Sequence, residues 1–117
     1  MVSSAPLWSY DISRQERGTA VVALTGELDL HCAGAMRHLL RALIDDPAIT
    51  AVVVDLAAVT FLDSAALGAL INAYQFADQS DRRFTVVSLT DTVRRVFEIT
   101  GMLDILSPSG SARSGPA

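Results

Sequence analysis

Two short runs of β-branched and apolar residues bracket an amphipathic segment, and this arrangement limits the possible folds more than any other feature. The runs are Thr19–Leu24 and Thr50–Leu56. They lack polar alternation, which is typical of strands that are buried on both faces of a parallel sheet. Apolar residues between them recur at three-to-four spacing and predict a helix from about His31 to Ile44. We therefore predict a β-α-β unit with the two runs as adjacent central strands.

The chain before this unit predicts one more strand. Trp8, Tyr10 and Ile12 alternate with polar residues, which is the period-two pattern of a half-buried strand. Gly18 interrupts the pattern just before the next run begins. The first two strands should therefore form a hairpin.

The chain after the unit predicts two further helices and a fourth strand. A second helix should open at Asp63-Ser64, and its buried stripe should consist of Leu67, Leu70, Ile71 and Tyr74. A strand is predicted over Phe84–Val87. A third helix follows, and the residues expected to cap it are Thr90 or Asp91 at its start and Gly101 at its end.

This order of elements predicts a single small α/β domain. The sheet should be mixed but mostly parallel, with about four strands and connecting helices. Crossovers that step in one direction would place their helices on one face of the sheet. We expect the domain to cover residues 1–106. Residues 107–117 are mostly Ser, Pro, Gly and Ala, so they should form a disordered tail.

Composition excludes several classes of protein. The formal charge is −4, from thirteen acidic and nine basic residues, which disfavours nucleic acid as a partner. No segment approaches the roughly 20 apolar residues of a membrane span. Cys32 is the single cysteine, so no intramolecular disulfide can form and a reducing, cytoplasmic location is expected. Its spacing to His31 and His38 does not resemble a zinc site, and no cofactor is predicted.

Ser64 is the residue whose position invites a functional interpretation. It lies at or beside the N-cap of the second helix, where a hydroxyl commonly accepts a hydrogen bond from the helix backbone. The same position tolerates a covalent phosphate, because free N–H groups and the helix dipole favour negative charge there. When Ser64 is considered alone, capping is the better supported of the two roles.

Catalysis is a weak alternative. The chain has no glycine-rich phosphate loop, nucleophile elbow or HExxH motif. Ser64 could act as a nucleophile with His31 or His38 as its base. Asp29 and Asp63 could form a carboxylate pair, but the N-cap of the first helix is the better supported role for Asp29. We predict that the protein is not an enzyme.

Three segments, in order, resemble the anti-sigma factor antagonists of the STAS domain family. Phe61–Gly68 resembles the family's Asp-Ser-Ser-Gly-Leu-Gly signature, in which the serine after the aspartate is phosphorylated. Leu24–Asp29 resembles its Gly-Glu-Leu-Asp turn, and Val93–Gly101 resembles its closing helix. Ala65 and Ala66 stand where a second serine and a glycine often occur, which stiffens the first helical turn. The resemblance implies a STAS-like fold.

The resemblance also implies a mechanism. The unphosphorylated antagonist would bind an anti-sigma factor that is also a serine kinase, and so free a sigma factor. The kinase would then phosphorylate Ser64 and the complex would dissociate, until a PP2C-type phosphatase reset the cycle. The expected partner-binding residues are Asp29, Asp63, Ser64, Ala65, Leu67 and Gly68. The free protein should be a monomer or a small homo-oligomer.

Two other functions are compatible with a STAS-like domain. The domain could be a scaffold or sensory subunit of a larger signalling complex. It could also bind a small apolar ligand or regulate a transporter. The mass of the protein in solution would distinguish the scaffold from a switch protein that is small when alone.

Overall fold

The computed structural model describes residues 7–108, which form four strands, four α-helices and one short 3-10 turn. The strands are β1 (Trp8–Arg14), β2 (Thr19–Leu28), β3 (Ala51–Leu62) and β4 (Arg83–Val87). The helices are α1 (Leu30–Asp45), α2 (Ser64–Gln79), α3 (Asp91–Thr100) and α4 (Leu103–Leu106), and the 3-10 turn spans Glu16–Gly18. The predicted α/β fold class is confirmed.

The four strands form one sheet in the order β1-β2-β3-β4. β1 and β2 pair antiparallel as the predicted hairpin, whereas β2 pairs with β3 and β3 with β4 in parallel. The two crossovers therefore step in the same direction, and their helices α1 and α2 pack against each other. The two apolar runs are adjacent central strands joined by α1, as predicted.

The central strands are fully buried on one face only. In the segments Ala20–Leu24 and Val52–Leu56, even-numbered residues such as Val22 and Val54 are inaccessible to solvent, whereas odd-numbered neighbours such as Val21 and Val53 are half-buried. The prediction of burial on both faces was therefore wrong. Because both crossovers step in the same direction, α1 and α2 lie over one face of the sheet, and the other face keeps partial contact with water.

β2 and β3 are both longer than predicted, because bulges carry their pairing beyond the apolar runs. Register shifts occur after Ala23 and after Gly26, and the two strands remain paired to Leu28 and Leu62. Gly26 has φ of 101° and lies against β1, where a Cβ atom would be 2.0 Å from the carbonyl oxygen of Leu7. Only glycine fits this position. The expected loop before α2 is therefore largely strand.

The buried face of α2 consists mainly of alanine. Leu67 and Leu70 are buried as predicted, but Ile71 and Tyr74 are only half-buried. The remaining buried positions follow the helical period and are Ala66, Ala69, Ala73 and Ala77. Small side chains let α2 approach α1 and the sheet closely, so the stripe with the largest side chains is displaced toward the edge of the interface.

The C-terminal elements are fixed by capping and by a buried serine. The Thr90 side chain accepts from the backbone N–H of Val93, and Gly101 ends α3 with φ of 75°, so both caps are as predicted. Ser107 was assigned to the disordered tail, but it is fully buried and its hydroxyl donates to the carbonyl of Val86. The rest of the predicted tail, residues 109–117, lies outside the described residues. No helix within residues 7–108 is long and apolar enough to cross a membrane.

Replacing Leu70 by alanine should lower the free energy of unfolding by about 2–5 kcal/mol, because the side chain is fully buried and its removal leaves a cavity. Ile71→Ala is the matched control and should cost less, since Ile71 is half-buried. Urea unfolding of both variants measures the difference. A loss below about 1 kcal/mol for Leu70→Ala would mean that α2 presents another face to the core.

Candidate functional site

Asp63 joins the start of α1 to the start of α2. It is the N-cap of α2, and its Oδ1 accepts a hydrogen bond of 2.9 Å from the backbone N–H of Ala66. Its Oδ2 accepts a second hydrogen bond of 3.1 Å from the backbone N–H of Leu30, in the first turn of α1. Its own N–H donates to the carbonyl of Leu28 at 3.1 Å. One carboxylate therefore holds two helix N-termini together.

Asp29 caps α1, as the sequence predicted. Its Oδ1 accepts from the backbone N–H of His31 at 2.9 Å, and the His31 Nδ1 atom lies 3.5 Å from the same oxygen. The His31 side chain is almost wholly exposed. The two aspartates thus have structural roles at neighbouring helix starts, where negative charge complements the helix dipoles.

Ser64 is exposed and occupies the first helical position of α2. Asp63, not Ser64, caps α2, because Asp63 has the extended backbone that an N-cap requires and its side chain accepts from Ala66. Within residues 7–108, no hydrogen bond of the Ser64 hydroxyl is found, to His31, His38 or any other group. The hydroxyl is therefore available to an external reagent.

The other predicted site residues differ in how much surface they offer. Ala65 and Gly68 are half-buried in the first turns of α2. Leu67 is only 4% exposed, so it packs α2 onto the core and offers a partner almost no surface. Accessible side-chain surface remains at Ser64, which is exposed, and at Asp63 and Asp29, which are half-buried.

Sequence reasoning missed two large exposed apolar residues that adjoin the Asp63 turn. Leu30 is 71% exposed, although it directly follows the N-cap Asp29. Phe61 is 45% exposed, although it lies in β3. Leu30 is tied to Asp63 through its backbone, and Phe61 pairs with Glu27 across the two central strands. The sequence signal for them was weak: Leu30 follows Asp29, and Phe61 stands two residues before Asp63. Exposed large apolar residues with polar groups beside them are a common composition of protein-binding surfaces.

Cys32 lies in the first turn of α1 but is unsuited to chemistry. Burial raises the pKa of its thiol, which donates a hydrogen bond to the backbone carbonyl of Asp29 at 3.5 Å. The thiol should therefore stay protonated and unreactive at neutral pH. Among the residues described, no group of three or more His, Cys, Asp or Glu side chains could hold a metal ion.

The chain belongs to the STAS domain family, whose model matches residues 11–113. It is 28% identical over 85 residues to the anti-sigma-B factor antagonist of Staphylococcus aureus, an alignment that covers 73% of this chain and 78% of that protein. The crystal structure of an anti-sigma factor antagonist from Mycobacterium paratuberculosis superposes with a TM-score of 0.75 at 32% identity, covering 91% of this chain and 88% of the other. The anti-sigma factor antagonist SpoIIAA in its unphosphorylated form gives 0.72 at 26% identity, with 80% and 82% covered.

These similarities confirm the resemblance found in the sequence. The relatives are anti-sigma factor antagonists, which are regulatory binding proteins and not enzymes. The prediction that this chain is not an enzyme agrees with that assignment.

Replacing each capping aspartate by asparagine tests the double role of Asp63. Asparagine keeps one acceptor oxygen, so it caps almost as well as aspartate. Asp29→Asn should therefore change stability little, because Asp29 caps a single helix. Asp63→Asn should cost about 1 kcal/mol more, since its amide cannot accept from Leu30 while its oxygen accepts from Ala66.

Urea unfolding at neutral pH measures the unfolding free energy of both variants. Both lose one negative charge at a helix start, so the difference between them does not come from charge. Equal stability of the two variants would show that the hydrogen bond between Asp63 and Leu30 contributes nothing to the fold.

Proposed function

We propose that this protein is an anti-sigma factor antagonist whose binding is switched off by phosphorylation of Ser64. The observation that carries the proposal is that two neighbouring residues have separate roles. Asp63 performs the capping and cross-linking, and Ser64 presents an exposed hydroxyl at the first position of α2. A kinase can modify such a hydroxyl without removing any interaction that the fold requires.

A phosphate at this position would change the binding surface strongly. It adds a charge of about −1.5 to −2 and three acceptor oxygens. The neighbouring carboxylate of Asp63 cannot turn away from it, because both of its oxygens hold helix N-termini. Repulsion and the cost of desolvating the phosphate would then oppose docking. Each 1.4 kcal/mol of such opposition weakens binding tenfold.

The surface around Ser64 suits a protein partner. Leu30 and Phe61 provide exposed apolar area in the two elements that adjoin the Asp63 turn, since Leu30 N–H donates to Asp63 and Phe61 lies two residues before it. Burying apolar residues gives affinity, while a charge that appears on the same surface controls it. The partner-binding surface proposed here consists of Asp29, Leu30, Phe61, Asp63, Ser64, Ala65 and Gly68, with Leu67 supporting it from below.

The partners follow from the family resemblance. The first is an anti-sigma factor with serine kinase activity, which binds the unphosphorylated protein and then modifies it. The second is a PP2C-type phosphatase that restores the free serine. Both would act in the cytoplasm. SpoIIAA, one of the similar proteins, has been solved in a form described as unphosphorylated, which supports control of this kind.

Ser64→Ala should abolish phosphorylation by the anti-sigma factor kinase and leave binding to that kinase intact. Incubation with the purified kinase, ATP and Mg²⁺ should add one phosphate to the wild-type chain, as measured by intact-protein mass spectrometry. Thr60→Ala is the matched control, because Thr60 is an exposed hydroxyl residue four positions away at the end of β3. That variant should be modified as fast as wild type.

Two further measurements complete this test. Because Ser64 does not cap α2, Ser64→Ala should change the unfolding free energy by no more than about 0.5 kcal/mol. Ser64→Asp should weaken kinase binding less than true phosphorylation does, since it supplies one charge and a flat carboxylate. A Ser64→Ala chain phosphorylated at the wild-type rate would refute the proposed switch.

A further inference from the structure

The seam between α1 and α2 carries a groove that contains two arginines. Its lining comes from both helices and consists of Gly34, Arg37, His38, Arg41, Ala42, Asp45 and Asn72. Of the two arginines, Arg37 is the one nearer the start of α1. Its Nη2 atom is 3.9 Å from the position that a Cβ atom would take at Gly68. The absence of a side chain at Gly68 leaves the guanidinium lying directly over α2.

The helix geometry places Ser64 next along this surface. Ser64 and Gly68 are four residues apart on α2, so they share a face, with about 5–6 Å between their β positions. α1 and α2 run in the same direction, because each connects parallel strands, and Asp63 ties their N-termini together. Helical side chains lean toward the N-terminus. The Arg37 side chain therefore extends toward the end of the groove at which Ser64 lies.

The other charged groups near Ser64 do not provide a ready cation. Asp63 and Asp29 are acidic, and both are fixed by capping hydrogen bonds. His31 lies beside Asp29 and is charged only when protonated. Arg41, one turn further along α1, is stacked on the ring of Phe76, with its Cζ 4.0 Å from the ring centroid.

Arg37 is not engaged in this way. Within residues 7–108, the salt bridges of arginine involve Arg14 with Asp46 and Arg94 with Glu98, and none involves Arg37. A guanidinium is also the side chain best suited to bind a phosphate, because its N–H groups match two phosphate oxygens.

We propose that Arg37 is the intramolecular counter-ion of a phosphate on Ser64. The phosphorylated state is then a closed arrangement in which Arg37 lies across Gly68 and donates to the phosphate oxygens. This inference rests on the proposed modification of Ser64 and adds the residue that binds the phosphate. Its consequence is that phosphorylation changes two parts of the surface together, since it adds a charge at Ser64 and engages the Arg37 guanidinium, which forms no salt bridge within residues 7–108 of the unmodified chain.

The test uses the full chain with phosphoserine inserted at position 64 during translation, so that no kinase is needed. The pKa of the phosphate is measured by ³¹P NMR, and all variants carry His31→Gln and His38→Gln, because His31 lies beside Asp29, His38 lines the groove and histidine titrates in the same range. Arg37→Gln should raise the phosphate pKa by roughly half a unit, since a cation favours the dianion. Arg37→Lys should retain most of the effect, and the Arg37 Nε–H signal of the parent should shift when the phosphate is present.

Arg41→Gln is the matched control, with the same charge change one turn further away. It should move the phosphate pKa much less than Arg37→Gln does. Equal shifts for the two variants, or no change of the Arg37 Nε–H signal between the serine and phosphoserine chains, would overturn the contact. That result would leave the proposed switch intact if the kinase still modifies Ser64. Conversely, a kinase that ignores Ser64 would refute the switch without affecting this measurement.

Discussion

The Asp63 carboxylate is the interaction on which the organisation of the site depends. It accepts hydrogen bonds from Ala66 in α2 and from Leu30 in α1, and its backbone N–H donates to Leu28 at the end of β2. The ends of the two central strands and the starts of the two crossover helices are therefore joined at one residue. The parallel pairing of β2 and β3 brings these four ends to one edge of the sheet.

This arrangement separates the stability of the site from its regulation. A serine that capped its own helix would lose that hydrogen bond when modified, and phosphorylation would then affect the fold as well as the surface. Because Asp63 supplies the cap, Ser64 can alternate between a hydroxyl and a phosphate while α2 keeps its first turn. The buried alanine stripe of α2 further fixes the helix against α1, so Arg37 keeps its place over Gly68.

Local patterns in the sequence predicted much of the fold. The two apolar runs, the helix between them, and the caps Asp29, Thr90 and Gly101 depend on neighbouring residues and were found from spacing alone. The features that were missed involve residues distant in the chain. The bond from Leu30 to Asp63 spans 33 positions, the bulges that lengthen β2 and β3 arise from their mutual pairing, and one-sided burial follows from the direction of both crossovers. The proximity of Arg37 to Gly68 likewise requires the packed helices.

Amide hydrogen exchange, compared between the serine and phosphoserine forms, tests most directly whether Asp63 keeps the fold independent of the switch. The amides of Leu30 and Ala66 should retain their protection after phosphorylation, because both remain bonded to Asp63. The amides of the central strands should be equally unchanged. Loss of protection at Leu30 and Ala66 in the phosphorylated form would contradict the account, since it would show that the phosphate opens the two helix N-termini.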